Sequence, residues 1–363
     1  MQPVTLSDGK LAVMRKGGAW VPSSLALDAR KRPLEQWQRL LTHYYLRSGA
    51  ATVIVAAHTG EFANGDLDLY GRWLGWVADV TGKYAGEKHF LMAAVSGPDA
   101  LRQAELAARH DFDIVMVSPT AFTERDDDGV MALYQEIASI IPTFGFELQR
   151  IVSGSRPISS DLWDRIFGLT YGAKGASFDT YRSLRMLEAA ARSERRRQLV
   201  LATGNDDRIV ADLGGRFTFD IDGRNVTMTY SAGLLGHLAT DTHAAVQWIQ
   251  AVQAARDGCD WNLAIGQRDL AHRVNVCNGA LFDAQCNFEN SRWGVKTRLH
   301  ALGLLPDATC FDEVGRPGLS DQIERAYAAH AVLNDEDWLV EHLPEMKRQV
   351  GLAPDARESS AST

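Results

Sequence analysis

Two kinds of hydrophobic pattern take turns along the first two-thirds of the chain. Apolar Leu34, Trp37, Leu40 and Leu41 recur at helical spacing within 33–46. The leading Pro33 suits a first helical position, where no N–H is needed. Residues 51–57 then form an unbroken apolar, β-branched run, as a strand covered on both faces must. The alternation continues with a helix at 67–80, a strand at 90–95, a helix at 98–109 and a strand at 114–117. A helix at 129–140 and a strand at 143–148 follow, then a helix at 161–169, a short strand at 171–173, a helix at 181–191 and a strand at 199–202. Regular βα alternation predicts a parallel sheet with helices outside it. About eight such units can be counted, which favours a closed (β/α)8 TIM barrel over an open sheet.

The rhythm breaks at 217–231. Residues 218–228 read as two alternating strands around Asp222-Gly223, a dipeptide that favours the positive φ angles of a tight hairpin. This predicts a hairpin insertion near 217–230, before a last barrel strand at 234–239. From about Thr242 to about Val350 the pattern is helical throughout, too long for one closing helix. The expected organisation is a barrel over 1–242, a C-terminal helical subdomain over 243–355, and a small, polar, disordered tail at 356–363.

Composition narrows the function. The 363 residues are 45% hydrophobic and 23% charged, with a net charge of −8, which argues against nucleic-acid binding and against an anionic membrane surface. Cys259, Cys277, Cys286 and Cys310 form no CxxC pair and match no zinc spacing. They are expected to be reduced and buried in a cytoplasmic protein. No run of about 18 apolar residues predicts a membrane span, and the first residues have neither the basic nor the apolar region of a secretory leader.

Three segments carry candidate chemistry, each just after or at the end of a predicted strand, where a barrel places its active face. Lys174 lies in Tyr171-Gly172-Ala173-Lys174-Gly175-Ala176. Burial disfavours a charged amine and lowers its pKa, and a neutral amine is the nucleophile of Schiff-base chemistry. A lysine at a strand end can also snorkel to solvent. His58-Thr59-Gly60-Glu61 offers a hydroxyl and turn N–H groups to a carboxylate. Gly204-Asn205-Asp206-Asp207 follows the strand at 199–202 and can also act by capping a helix.

Together these segments resemble the dihydrodipicolinate synthase / N-acetylneuraminate lyase family of class I aldolases. The family's Gly-Thr-Thr-Gly-Glu loop corresponds to Ala57-His58-Thr59-Gly60-Glu61, its lysine strand to Gly172-Ala173-Lys174-Gly175-Ala176, and its Ser-Gly-Asp-Asp segment to Thr203-Gly204-Asn205-Asp206-Asp207. Gly294-Val295-Lys296-Thr297-Arg298-Leu299 and Gly315-Arg316-Pro317-Gly318-Leu319-Ser320 resemble its C-terminal helices and the loop between them. The resemblance implies an imine between Lys174 and pyruvate or another small-molecule 2-oxo acid. Lys174 and His58 are then the catalytic candidates, and Thr59, Gly60, Phe146 and His237 the substrate-binding ones. No cofactor or metal is implied, and the assembly is a homodimer or homotetramer.

The departures from the family pattern shape the expectation further. Phe146 stands where the family has its proton-relaying tyrosine, His58 where it has the first threonine of the Thr-Thr pair, and Ile151 where the synthases have the arginine for the distal carboxylate, with Arg150 and Arg156 nearby. His58, a histidine of ordinary pKa, is the first candidate to move protons instead. Glu147 should point away from the barrel mouth and form a salt bridge, because side chains alternate along a strand. His237 is a weaker candidate. Aldol cleavage or condensation, dehydration of a 2-oxo-3-deoxy acid through the same imine, and a non-catalytic sensor or scaffold are the three functions compatible with these residues.

Overall fold

The computed structural model describes residues 2–84, 89–258 and 261–353; the expected tail and Cys259 lie outside them. Ten strands form. In chain order they are β1 (Gly18–Pro22), β2 (Thr52–Val55), β3 (Met92–Val95), β4 (Ile114–Val117), β5 (Thr143–Leu148), β6 (Gly172–Ala176), β7 (Val200–Thr203), β8 (Phe217–Ile221), β9 (Arg224–Met228) and β10 (Ala232–Gly233). All but β8 and β9 close into a parallel barrel in the order β1-β10-β7-β6-β5-β4-β3-β2, with β1 paired to both β10 and β2. The helices Glu35–Arg47, Leu67–Thr81, Ala100–Arg109, Asp127–Ala138, Ser160–Leu169 and Thr180–Arg192 connect successive strands.

Strand alternation sorts the side chains into two cores. Trp20, Ile54, Met92, Met116, Phe144, Phe146 and Ala202 fill the barrel, whereas Val53, Val55, Val95, Val115, Val117 and Leu201 pack under the helices. Both faces are covered, so the strands need no polar side. The register sets Phe146 opposite Lys174, and Lys174 opposite Ala202. Lys174 therefore occupies an inward position with a small residue on one side and an aromatic ring on the other.

Three expectations about elements need correction. β1 escaped the sequence pattern because it is five residues long and begins and ends on conformational breakers, Gly18 and Pro22. The last barrel strand is β10, not 234–239. Leu234 extends its ladder by donating to the Thr203 carbonyl at 2.8 Å, but Gly236–Ala239 coil into a 3-10 turn. The helical C-terminal stretch is interrupted: helix Trp261–Leu281 gives way to turns before helix Ser291–Ala301, and a long loop precedes helix Leu319–Ala329. The hairpin forms, with Asp222 and Gly223 at φ 53° and 76°. It packs beside helix Thr180–Arg192 on the outside of the barrel.

The segment after β2 has a left-handed backbone. Glu61, Phe62, Ala63 and Asn64 have φ from 48° to 55°, a conformation that costs non-glycine residues about 1–2 kcal/mol each. A buried ion pair and its hydrogen bonds hold the segment in this conformation. The Glu61 carboxylate meets the Lys296 amine at 2.5 Å and accepts the Phe311 N–H at 2.6 Å, while Lys296 also donates to the Thr309 carbonyl at 2.7 Å. Both charged side chains are shut off from water. This knot ties helix Ser291–Ala301 to the carboxyl end of the barrel and so places a roof over it.

Candidate functional site

The carboxyl ends of the barrel strands open into a cleft. Ala57, His58 and Thr59 reach it from the end of β2, Leu148 and Gln149 from β5, Lys174 and Ala176 from β6, Gly204 and Asp206 from β7, and Leu235 and Gly236 from β10. Phe282, Phe288, Ser291, Arg292 and Val295 of the helical region roof it.

Lys174 rises from the floor of this cleft. It is 7% exposed, and its amine stands 4.5 Å from the centre of the Phe146 ring. Removal from water is the one cause acting on its pKa, which falls from 10.5 to about 7. No carboxylate makes a salt bridge to it among the described residues. At neutral pH a large share of the amine is therefore unprotonated and available as a nucleophile.

Gly204 makes room for that side chain. A Cβ at residue 204 would lie 2.3 Å from the Lys174 Cε and 2.8 Å from the Leu234 carbonyl oxygen. The next residue, Asn205, is fully buried and does not cap a helix, contrary to expectation. Its Oδ1 accepts the Phe178 N–H at 3.0 Å, and its Nδ2 donates to the Asp212 carboxylate at 2.8 Å and to the Ser183 hydroxyl at 3.1 Å. Asp212 is held in turn by the Thr203 hydroxyl and Arg208. This network fixes the turn that delivers Asp206 to the cleft. Burial, and next the charge of Asp207, raise the Asp206 pKa to about 7. Asp206 is thus a carboxyl group that can both hold and release a proton near neutrality.

His58 and Thr59 both line the cleft, facing the same cavity as Lys174. His58 does not have the titration range expected of it. Burial first, then the positive charges of Arg292 and Lys174, push its pKa down to about 3, so the ring is neutral at physiological pH. Gly60 is buried in the turn but is not part of the cleft wall. Its Cβ position faces the Trp73 ring at 2.5 Å, and its N–H donates to the Ala57 carbonyl. Phe146 belongs to the barrel interior beneath Lys174 rather than to the cleft wall. His237 is also off the cleft, buried with its ring stacked on Tyr327 at 6.1 Å and edge-on to Trp248 at 6.4 Å. The His237 side chain is therefore not part of the cleft wall, although its neighbours Leu235 and Gly236 are.

Glu147 points outward, as alternation requires, but forms no salt bridge among the described residues. It is buried with Oε1 unpartnered, and desolvation raises its pKa to about 7. Arg150 and Ile151 lie exposed beside the mouth, and Arg156 pairs with Asp127. Sequence reasoning missed the roof, above all Ser291 and Arg292. Long-range pairs bring these residues to the cleft: Glu61–Lys296 joins segments 235 positions apart, and Arg298 of the same helix pairs with buried Asp241. Among the described residues no group of three or more His, Cys, Asp or Glu is placed to hold a metal, and no helix is long and apolar enough to cross a membrane.

The fold is a (β/α)8 barrel with a C-terminal helical region. Solved structures of dihydrodipicolinate synthases and other proteins share it. One is chloride-inhibited dihydrodipicolinate synthase from Acinetobacter baumannii, complexed with pyruvate (TM-score 0.70, 14% identity, covering 87% of this chain and 99% of that one). Another is YagE, a prophage protein of the dihydrodipicolinic acid synthase family from E. coli K12, also with pyruvate (TM-score 0.68, 11% identity, 87% and 99%). A third is a variant of the 2-keto-3-deoxygluconate aldolase of Sulfolobus solfataricus (TM-score 0.66, 13% identity, 89% and 98%). No family model and no curated protein matches the sequence. The likeness at these identities is one of fold.

Proposed function

We propose that this chain is a class I lyase that forms a Schiff base between Lys174 and pyruvate or another 2-oxo acid and makes or breaks a carbon–carbon bond by aldol chemistry. One observation carries the reading: a desolvated amine with a pKa of about 7, with no carboxylate partner among the described residues, stands in the cleft at the carboxyl end of the barrel. The pyruvate bound to two proteins of the same fold supports the choice of electrophile for that amine.

The neutral amine adds to the carbonyl carbon of the 2-oxo acid. The carbonyl oxygen leaves as water once it has taken two protons, and an imine remains. When protonated, the imine draws electrons from C3. Loss of a C3 proton, or rupture of the C3–C4 bond with release of an aldehyde, gives the same enamine. In the opposite direction the enamine adds to an aldehyde carbonyl, and water then hydrolyses the imine and returns the amine. Thr59, at the turn after β2, is positioned to hold the carboxylate of the 2-oxo acid.

Proton movement needs a group other than the missing phenol. His58 is too weak a base, Glu147 faces the outer layer and His237 is off the cleft. Asp206 remains: it lines the cleft and holds its proton to about pH 7. We assign it the acid/base role.

Incubation with pyruvate and borohydride, followed by mass spectrometry, tests the proposal. The protein is expected to gain the mass of one reduced pyruvate adduct on Lys174, and Lys174→Ala to stay folded and gain none. A folded protein that gains no adduct with any of a panel of 2-oxo acids would leave a non-catalytic role as the better reading.

A further inference from the structure

The roof of the cleft contains a cation and a hydroxyl that the imine chemistry does not use. Arg292 lies in the first turn of helix Ser291–Ala301. It lines both the cleft and an adjoining depression that it shares with His58, Ile151, Glu289 and Glu313. Glu313 receives its Nε at 2.6 Å and also accepts the Trp293 N–H at 2.7 Å. That double hold orients the guanidinium plane. Among the described residues the two Nη groups have no hydrogen bond to protein. Beside it, Ser291 lines the cleft, is 8% exposed, and has a buried hydroxyl with no hydrogen-bond partner. An unpaired buried hydroxyl costs about 1–3 kcal/mol, and this one belongs to a residue of the cleft wall beside the Arg292 guanidinium.

We propose that Arg292 and Ser291 form an anion subsite for the second reactant, an aldehyde or ketone that bears its own carboxylate. This assignment deepens the lyase reading and rests on it. The free edge of a guanidinium held by its Nε presents parallel N–H donors to a carboxylate, and the Ser291 hydroxyl adds a third donor. Glu313 pairs with Arg292, and Glu289 lines the same depression; surroundings with no excess of positive charge disfavour a phosphate dianion more than a singly charged carboxylate. The subsite lies in the roof and Lys174 on the floor. A short bifunctional molecule anchored above would present its carbonyl to the enamine below.

Succinate titrated calorimetrically into the full chain tests the subsite without requiring turnover. Wild type is expected to bind it. Arg292→Gln should weaken binding about 10- to 100-fold, the loss expected for hydrogen bonds to a charged group. Ser291→Ala should weaken it several-fold while leaving thermal stability equal or higher, an outcome that a merely structural serine would not produce. Should Arg292→Gln fail to fold because Glu313 is left unpaired, the pair Arg292→Gln with Glu313→Gln removes both charges together. Absent binding in wild type, or equal affinity in wild type and variants, overturns the subsite. Inorganic phosphate binding more tightly than succinate overturns the choice of carboxylate.

The same titration on protein already reduced onto pyruvate separates this inference from its parent. Retained succinate binding places the subsite beyond the 2-oxo acid, as proposed. Lost binding assigns Arg292 to the 2-oxo acid itself and overturns the second-reactant role. Failure of any pyruvate adduct to form sinks the lyase reading alone, since the titration on unmodified protein still decides whether the anion subsite exists.

Discussion

The amine of Lys174 stands 4.5 Å from the centre of the Phe146 ring, its direct neighbour across the β5–β6 ladder. Two effects compete there. The ring face attracts an ammonium, worth about 0.5–2 kcal/mol. Desolvation opposes the charge, and the fall from 10.5 to about 7 corresponds to roughly 5 kcal/mol. Desolvation wins, so Phe146 acts as a dry wall that keeps the amine neutral more than as a partner for its charge.

Imine formation should therefore depend on pH in a way ordinary lysines do not. The unprotonated amine is the reactive form, so the rate of borohydride trapping with pyruvate should rise with pH, reach half its plateau near pH 7 and stay flat above pH 8. A rate still climbing through pH 9 to 10 would mean that Lys174 keeps the pKa of a solvated lysine.

Gly204→Ala tests the closest approach in the site. The new methyl would overlap the Lys174 Cε and the Leu234 carbonyl oxygen. The lysine can swing but the backbone cannot, so overpacking of this kind should cost about 1–3 kcal/mol of stability. Trapping with pyruvate should slow by more than tenfold, because the amine is displaced from the cleft axis. Trapping at the wild-type rate in a folded variant would show that the cleft has slack at this position.

For His58 the expectation is one of absence. With a pKa of about 3, its ring does not titrate between pH 5 and 9. His58→Gln, which keeps a neutral polar group against Arg292, should slow turnover less than tenfold and leave the pH profile in place. Asp206→Asn should lose about 10²–10⁴-fold, the usual share of a general acid/base. Loss of the limb near pH 7 in His58→Gln would return the proton role to the histidine.

The legibility of the chain divides along the same physical lines. Strands β2 to β7 could be read because doubly covered strands are short, unbroken and apolar, and Lys174 stood out as a charge inside one of them. Two-residue β10 has too few positions to carry a period, and its ladder is completed by Leu234 from a segment that reads equally well as the start of a turn. The roof was illegible for a different reason. Arg292 reaches the cleft through long-range pairs such as Glu61–Lys296, which no local pattern encodes. The titration of His58 is illegible in the sequence because burial, its main cause, and next the charge of Arg292 both arise from the tertiary fold.

Glu147 offers the cleanest test of the outer layer. Its carboxyl is buried behind β5, its Oε1 has no hydrogen-bond partner, and desolvation raises its pKa from 4.5 to about 7. The folded state thus binds this proton more tightly than the unfolded state does. Between pH 4.5 and 7 the folded protein carries the extra proton, and the stability tied to it is fully present below the unfolded pKa and lost as pH rises through 7. The shift corresponds to at most about 3 kcal/mol. Glu147→Gln keeps the shape and removes the titration. Denaturant unfolding at pH 5 should then separate variant and wild type little, while at pH 8 the variant should be the more stable, by up to that amount. Equal stability differences at the two pH values would mean that Glu147 finds a cationic partner, with Arg182 and Arg185 the nearest positive charges acting on it, and the salt bridge expected from the sequence would be restored.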